Sequence, residues 1–216
     1  MFYKQREEFE VSAAKRDQEL EFPEAVIETK DIRCSEDDCN AHRLDMFRPA
    51  GREQEVLPVI VNIHGGGCLL TYFAAMQKNP ELAAAAHVTP SDLPLRALGL
   101  ISGMFYTNCF DKIGLFLPKY LYGKNYKKES FAPYVNPEHP GVAGSLPPCY
   151  LVTSKNDHLQ RYTLNFTKAL AKYHTPYRLQ NFPKNPQLTH AFSVFSPFLK
   201  ESDQSMAAMV EFFRKY

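Results

Sequence analysis

The chain has no surplus of charge of either sign: 25 Lys and Arg stand against 24 Asp and Glu over 216 residues. That balance removes the electrostatic reason for nucleic acid or an anionic membrane as partner, since both are held chiefly by clustered cations. No apolar run reaches the roughly 18 residues a membrane span needs, and the opening Met-Phe-Tyr-Lys-Gln-Arg-Glu-Glu carries no apolar signal core. A cytoplasmic location and a small-molecule partner are therefore expected. A disulfide framework is lacking too. Five cysteines (Cys34, Cys39, Cys68, Cys109, Cys149) are odd in number and scattered, unlike paired bridges or paired C-x-x-C zinc ligands. Cys34 and Cys39 flank Ser35-Glu36-Asp37-Asp38 and could meet across a turn, but reduced thiols are the expectation. Without repeats or linker-like composition, residues 1–216 read as one domain, able to bury about 70% of the surface its unfolded form exposes.

Apolar periodicity supplies the elements that are present. Residues 4–20 are charge-dense, with Phe9, Ala13 and Leu20 at loosely helical spacing, and predict a surface or cap helix within 1–24. Val26–Cys34 and Ala41–Arg48 alternate apolar and polar residues around an acidic turn, the pattern of an antiparallel hairpin. Leu57–Ile63 is a nearly continuous apolar run, the pattern of a strand buried on both faces. Cys68–Gln77 is apolar nearly all round and predicts a fully buried helix, stopped at Lys78-Asn79-Pro80. Leu95–Ser102 reads as a further buried strand. Residues 104–148, rich in proline and aromatics, read as a lid, a pocket wall or a packed excursion over the core. Cys149–Thr153, Leu159–Tyr173 and Tyr177–Phe182 form a strand, helix and strand, and Ser202–Tyr216 is a last helix with Met206, Met209, Val210 and Phe213 inward. Strands alternating with helices predict an α/β fold: an open, mostly parallel sheet with helices on both faces.

In such sheets ligands sit beyond the carboxyl ends of the strands, and three turns there carry chemistry. His64-Gly65-Gly66-Gly67 follows one predicted strand and opens a helix; without side chains its N–H groups can approach an anion or a developing oxyanion. Asp157 lies in Thr153-Ser154-Lys155-Asn156-Asp157-His158-Leu159, between a strand and a helix. On its own it would more often be a helix cap. His190, in Thr189-His190-Ala191-Phe192, follows the next strand and alone would more often be a packed or surface histidine.

Taken together, the order of glycine-rich turn, acid and histidine, with 33 residues between Asp157 and His190, resembles the hormone-sensitive-lipase-like, acetyl-esterase branch of the α/β-hydrolases. The resemblance runs from about Val56 to the C-terminus. It implies that Gly65 and Gly66 supply oxyanion-hole N–H groups, that His190 moves the proton and that Asp157 orients it. His64, Phe105 and Tyr106 become candidate substrate-pocket residues. The substrate implied is a short acyl ester; no cofactor and no metal is expected.

The resemblance also implies a serine on a G-x-S-x-G elbow, and none is present. None of the eleven serines has glycine two residues away on both sides; Ser102, followed by Gly103, comes nearest but ends a strand. The helix from Cys68 looks like the one that normally follows the elbow, as if interior strands and the serine had been deleted between two glycine-rich turns. His64 would then fall at the serine's place, where the turn is not shaped for an imidazole nucleophile. Cys68 would be a better nucleophile, but an apolar helix raises a thiol's pKa. The sequence thus predicts an ester hydrolase with weak or no turnover. Alternatives are a non-catalytic pocket that binds a carboxylate or acyl ligand, or a water-activating Asp157–His190 dyad. Strand edges left open by the deletion would invite homo-oligomers.

Overall fold

The computed structural model describes residues 11, 13–18, 20–34, 42–63, 67–91 and 93–216. Of the expected N-terminal helix, residues 13–17 are helical, while 4–10, 12 and 19 lie outside the described residues. The sequence reads as one domain; the chain divides into two compact units, 1–62 and 63–216, each described by itself.

In the first unit, β1 (Val26–Arg33) pairs antiparallel with β2 (Arg43–Pro49), from Val26 opposite Pro49 to Arg33 opposite Arg43. The register shifts between Thr29 and Ile32. There Asp31 takes a left-handed φ of 56° and its N–H donates to Asp45 Oδ1 at 2.9 Å. A short polar side chain that bonds locally makes that conformation accessible.

The run Leu57–Ile63 does not form the buried strand that its composition suggests. It has no strand pairing and stands open to solvent, with Val59 83%, Ile60 69% and Val61 61% exposed. An apolar run specifies a wish for burial but not a partner. A parallel strand forms only where neighbours accept its backbone hydrogen bonds, and the described residues place none beside it.

The second unit is built on three parallel strands in the order β3 (Leu98–Ile101), β4 (Cys149–Ser154), β5 (Tyr177–Phe182). Every residue of β4, the middle strand, is buried. Side chains alternate across a strand, so β4 feeds two cores. Cys149 and Leu151 join Phe166 and Leu170 of α5 (Gln160–Lys172) on one face. Tyr150 and Val152 join Met209 and Phe212 of α7 (Lys200–Arg214), which follows the short α6 (Phe192–Phe195), on the other. Helices therefore cover both faces, as a parallel sheet requires.

Gly99 in β3 makes the second contact close. A Cβ there would lie 2.6 Å from Met209 Sδ and 3.0 Å from Phe213 Cζ. The buried stripe of α7 is Ser202, Ser205, Met209 and Phe212; Met206 and Val210, expected inward, are exposed. Met209 is buried and Phe213 packs against the core as expected, so apolarity marked the helix and half of its inner face. The two serines fit inward because their hydroxyls are satisfied, Ser202 donating to Ser196 O at 2.7 Å and Ser205 to Glu201 O at 2.7 Å.

Helix α1 (Gly67–Met76) buries Cys68, Thr71, Tyr72, Ala74 and Ala75, but Leu69 and Phe73 face solvent. The expected all-round burial is thus replaced by one buried face. Asn79-Pro80 begins a helix as well as ending one: α2 (Pro80–Ala85) has Asn79 as its cap, accepting the Leu82 N–H at 3.1 Å, and Pro80 in its first turn.

The aromatic stretch 104–148 contains α3 (Lys112–Tyr122), two short 3-10 turns at Tyr126–Lys128 and Ala132–Val135, and α4 (Pro140–Ala143). Its aromatics split between the two environments. Phe105 and Tyr106 are buried, while Phe110, Phe116 and Tyr120 are exposed. Among the described residues no helix is long and apolar enough to cross a membrane.

Candidate active site

The loops leaving the carboxyl ends of β3, β4 and β5 converge, and each brings one polar side chain. Asp157 follows β4 by three residues, just ahead of α5, and its side chain is completely buried. His190 follows β5 and is partly open to solvent, with its Nδ1 3.0 Å from Asp157 Oδ1. A carboxylate only accepts, so the proton of this bond sits on Nδ1, which leaves Nε2 of the neutral ring with a free lone pair.

The carboxylate is held from several sides. Its Oδ1 accepts the Leu159 N–H at 2.9 Å, and its Oδ2 accepts the Thr153 hydroxyl at 3.0 Å. The Ser102 hydroxyl, at the end of β3, also donates to it. Burial by itself pushes the Asp157 carboxyl up, but the bonds from His190, Leu159 and Ser102 outweigh it and lower the carboxyl to about 2. The acid is therefore ionised at neutral pH despite its burial.

Ser154 and Asn156, which the sequence reading passed over, fix the acid's turn against the histidine's loop. The Ser154 hydroxyl donates to Leu188 O and accepts the N–H groups of Asn156 at 3.2 Å and Asp157 at 3.1 Å. Asn156 Oδ1 accepts the Asn185 N–H at 3.1 Å. Beyond His190, the Ala191 N–H donates to Ser102 Oγ at 2.9 Å. Both ends of that bond are left-handed, with φ 49° at Ser102 and 51° at Ala191. Such backbone costs on the order of 1 kcal/mol per residue and persists where the surroundings fix it. Polar residues just after a strand were the available signal, but they read like any loop.

The other expected site residues fall differently. His64, Gly65 and Gly66 lie outside the described residues. Phe105, expected in a pocket wall, has no exposed surface and stacks on Phe166 with ring centroids 4.4 Å apart. It packs the core, because an aromatic ring facing α5 gains more by burial than by lining a cavity. Tyr106 is also buried, and its hydroxyl donates to Glu138 at 2.7 Å. Cys68 is buried and burial pushes its thiol up, the environment of an inert cysteine. Cys34, Cys68, Cys109 and Cys149 are free thiols.

The parallel sheet, covered on both faces, thus carries an acid and a histidine that meet at its carboxyl edge. No protein-family model matches the chain, and no curated protein does. Solved structures do. The chain is similar to esterase B from Lactobacillus rhamnosis bearing a tributyrin phosphonate, with a TM-score of 0.85, 16% identity, and 99% of this chain and 93% of that chain covered. A further structure of esterase B, from strain HN001, gives a TM-score of 0.84 at 16% identity, covering 99% and 93% of the two chains. Likeness at this identity establishes the fold, an α/β fold with a parallel sheet such as esterases carry.

Proposed function

We propose that this chain is a carboxylic-ester hydrolase of the serine-esterase type, directed at short acyl esters, whose turnover is very weak or nil because its nucleophile is missing. One observation carries the reading: His190 Nδ1 lies 3.0 Å from the buried, ionised Asp157 at the ends of adjacent parallel strands. That is the acid and base half of an acyl-transfer site, with Nε2 left to take a proton. Gly65 and Gly66 are assigned as the oxyanion donors. The esterase B structure with its tributyrin phosphonate supports a short-acyl ester as substrate class.

From Gly67 the chain passes through α1 and α2 into β3, with no strand among the described residues and no G-x-S-x-G sequence between. We take the glycine-rich sequence 64–67, ahead of α1, to be the junction at which interior strands and the elbow serine have been deleted. Without the serine, what remains is catalysis of about 10³–10⁴-fold over water from oxyanion donors and binding. In this reading the partners are small esters or carboxylates, not nucleic acid or membrane, and the protein is cytoplasmic.

The purified chain is expected to show little turnover of p-nitrophenyl acetate. A version with the interior strands and a G-x-S-x-G elbow restored at the 64–67 junction, ahead of α1, is expected to be labelled covalently by a fluorophosphonate. A folded restored protein that stays unlabelled would overturn the proposal. A non-catalytic binding protein is the second reading, favoured by the fully tied dyad in a chain with no elbow serine. It requires saturable binding of a short-chain carboxylate to the unaltered chain.

A further inference from the structure

A third side chain stands at the dyad that acyl transfer does not use. His158 follows Asp157 in the same turn and its side chain is 70% exposed. Its Nδ1 lies 3.9 Å from Asp157 Oδ1, and its ring lies 4.6 Å from the His190 ring, centroid to centroid, tilted by 44°. One donor atom from each of Asp157, His158 and His190 can be chosen so that all lie within 4.8 Å of one another.

We propose that Asp157, His158 and His190 form a three-ligand site for a divalent transition-metal ion, Zn2+ in particular, that captures the His190 imidazole. Zinc takes nitrogen and carboxylate oxygen at about 2.0–2.2 Å, which sets neighbouring donors of a tetrahedral site about 3.4 Å apart. The two separations from Asp157 Oδ1, 3.0 Å to His190 and 3.9 Å to His158, bracket that spacing. The His190 pair is already tight, and the movement required falls on His158, whose exposed side chain is free to make it.

The donor set selects the metal. Two imidazoles and one carboxylate suit Zn2+ or Cu2+, whereas Mg2+ and Ca2+ require oxygen. Binding through the His190 Nδ1 lone pair requires the neutral ring to carry its proton on Nε2, so the Nδ1 proton shifts to Nε2 and the metal would take its place between the ring and the carboxylate. The Thr153 hydroxyl and the Leu159 N–H, which already hold Asp157, become the outer bonds that orient the ligand oxygen. Three protein ligands leave a fourth position for water on the exposed His158 side. The bound ion takes up His190, so the site acts as a reversible block on any proton transfer by that ring. The inference stands whether or not the chain hydrolyses esters.

The test is calorimetric titration of the full chain with Zn2+, paired with the visible absorption of bound Co2+. One equivalent of tight binding with a tetrahedral cobalt spectrum is expected. His158→Ala should weaken it by about tenfold or more. That side chain is exposed, so far-UV circular dichroism should be unchanged. His190→Ala should also weaken it, and His174→Asn, at an exposed histidine, should leave it intact. Unchanged affinity in His158→Ala, or equal loss in His174→Asn, overturns the proposal. Because no readout is catalytic, zinc binding together with a folded restored protein that stays unlabelled by a fluorophosphonate sinks the esterase reading alone. Hydrolysis in the restored protein without zinc binding sinks this one alone.

Discussion

Asn156 Oδ1 accepts the backbone N–H of Asn185 at 3.1 Å, joining the turn that carries Asp157 to the loop that carries His190. With the three hydrogen bonds of the Ser154 hydroxyl, it makes the acid and the histidine parts of one rigid corner. Removing Ser154 Oγ takes the partner from the Asn156 N–H and the Leu188 carbonyl and leaves the Asp157 N–H only its bond to Ser154 O at 3.2 Å. Ser154→Ala is therefore expected to cost about 1–3 kcal/mol in urea unfolding. Asn156→Ala, at a less buried position, should cost less. In both, the His190 ring resonances should broaden as the corner loosens; sharp, unshifted resonances would show that the ties do not position the ring.

Acid should act on this corner before it acts on the rest of the sheet. The Asp157 carboxyl is lowered to about 2 against an ordinary 3.8, so across that interval the unfolded chain binds the extra proton. A depressed carboxylate stabilises the fold fully above the ordinary value, and that contribution disappears as pH falls through about 2. Its size is about 2 kcal/mol. Denaturant midpoints measured from pH 6 to pH 2 should fall steeply at the acid end, and Asp157→Asn should flatten that limb while lowering stability at pH 6. Parallel curves for the two proteins would rule out Asp157 as the group concerned.

The parts legible in the sequence were those encoded locally. Cys149–Ser154, Gln160–Lys172 and Tyr177–Phe182 match their predicted spans within a residue or two, because alternation and helical stripes are properties of the segments themselves. Asp157 and His190 were found because each follows a strand of that unit. Ser154 and Asn156 were missed because a hydroxyl or amide in a turn gives no sign of what it bonds 29 to 34 residues away. Leu57–Ile63 was misread because burial on two faces depends on strands elsewhere in the chain. His158 stood in plain view, but an exposed histidine acquires meaning only when its ring is seen beside His190.

Glycine inside a strand offers no side chain to pack, and at Gly99 the structure gives that absence a purpose. Valine at this position would press on Met209 and Phe213, the residues that seat α7 on the sheet. Methionine bends, so the expected loss is about 1–3 kcal/mol, typical of overpacking, and not a failure to fold. Gly99→Ala should fall below that range. The ranking can be read from thermal midpoints, and a neutral Gly99→Val would mean that α7 shifts outward at no cost.

The exposed apolar run has consequences for self-association. Val59, Ile60 and Val61 present β-branched side chains and a backbone whose hydrogen bonds are not taken up by a neighbouring strand among the described residues. Such a segment can pair with the same segment of another molecule, which would satisfy its backbone and bury its side chains at once. Sedimentation velocity should then show association rising with protein concentration. Val59→Lys with Val61→Lys places two charges on one face of the segment and opposes like charges in any pair of copies. The double variant should sediment as a monomer over the same concentrations with its unfolding midpoint unchanged, since neither side chain contributes to the core. Association that survives both lysines would locate the contact elsewhere, with the exposed Phe110, Phe116 and Tyr120 the next residues to change.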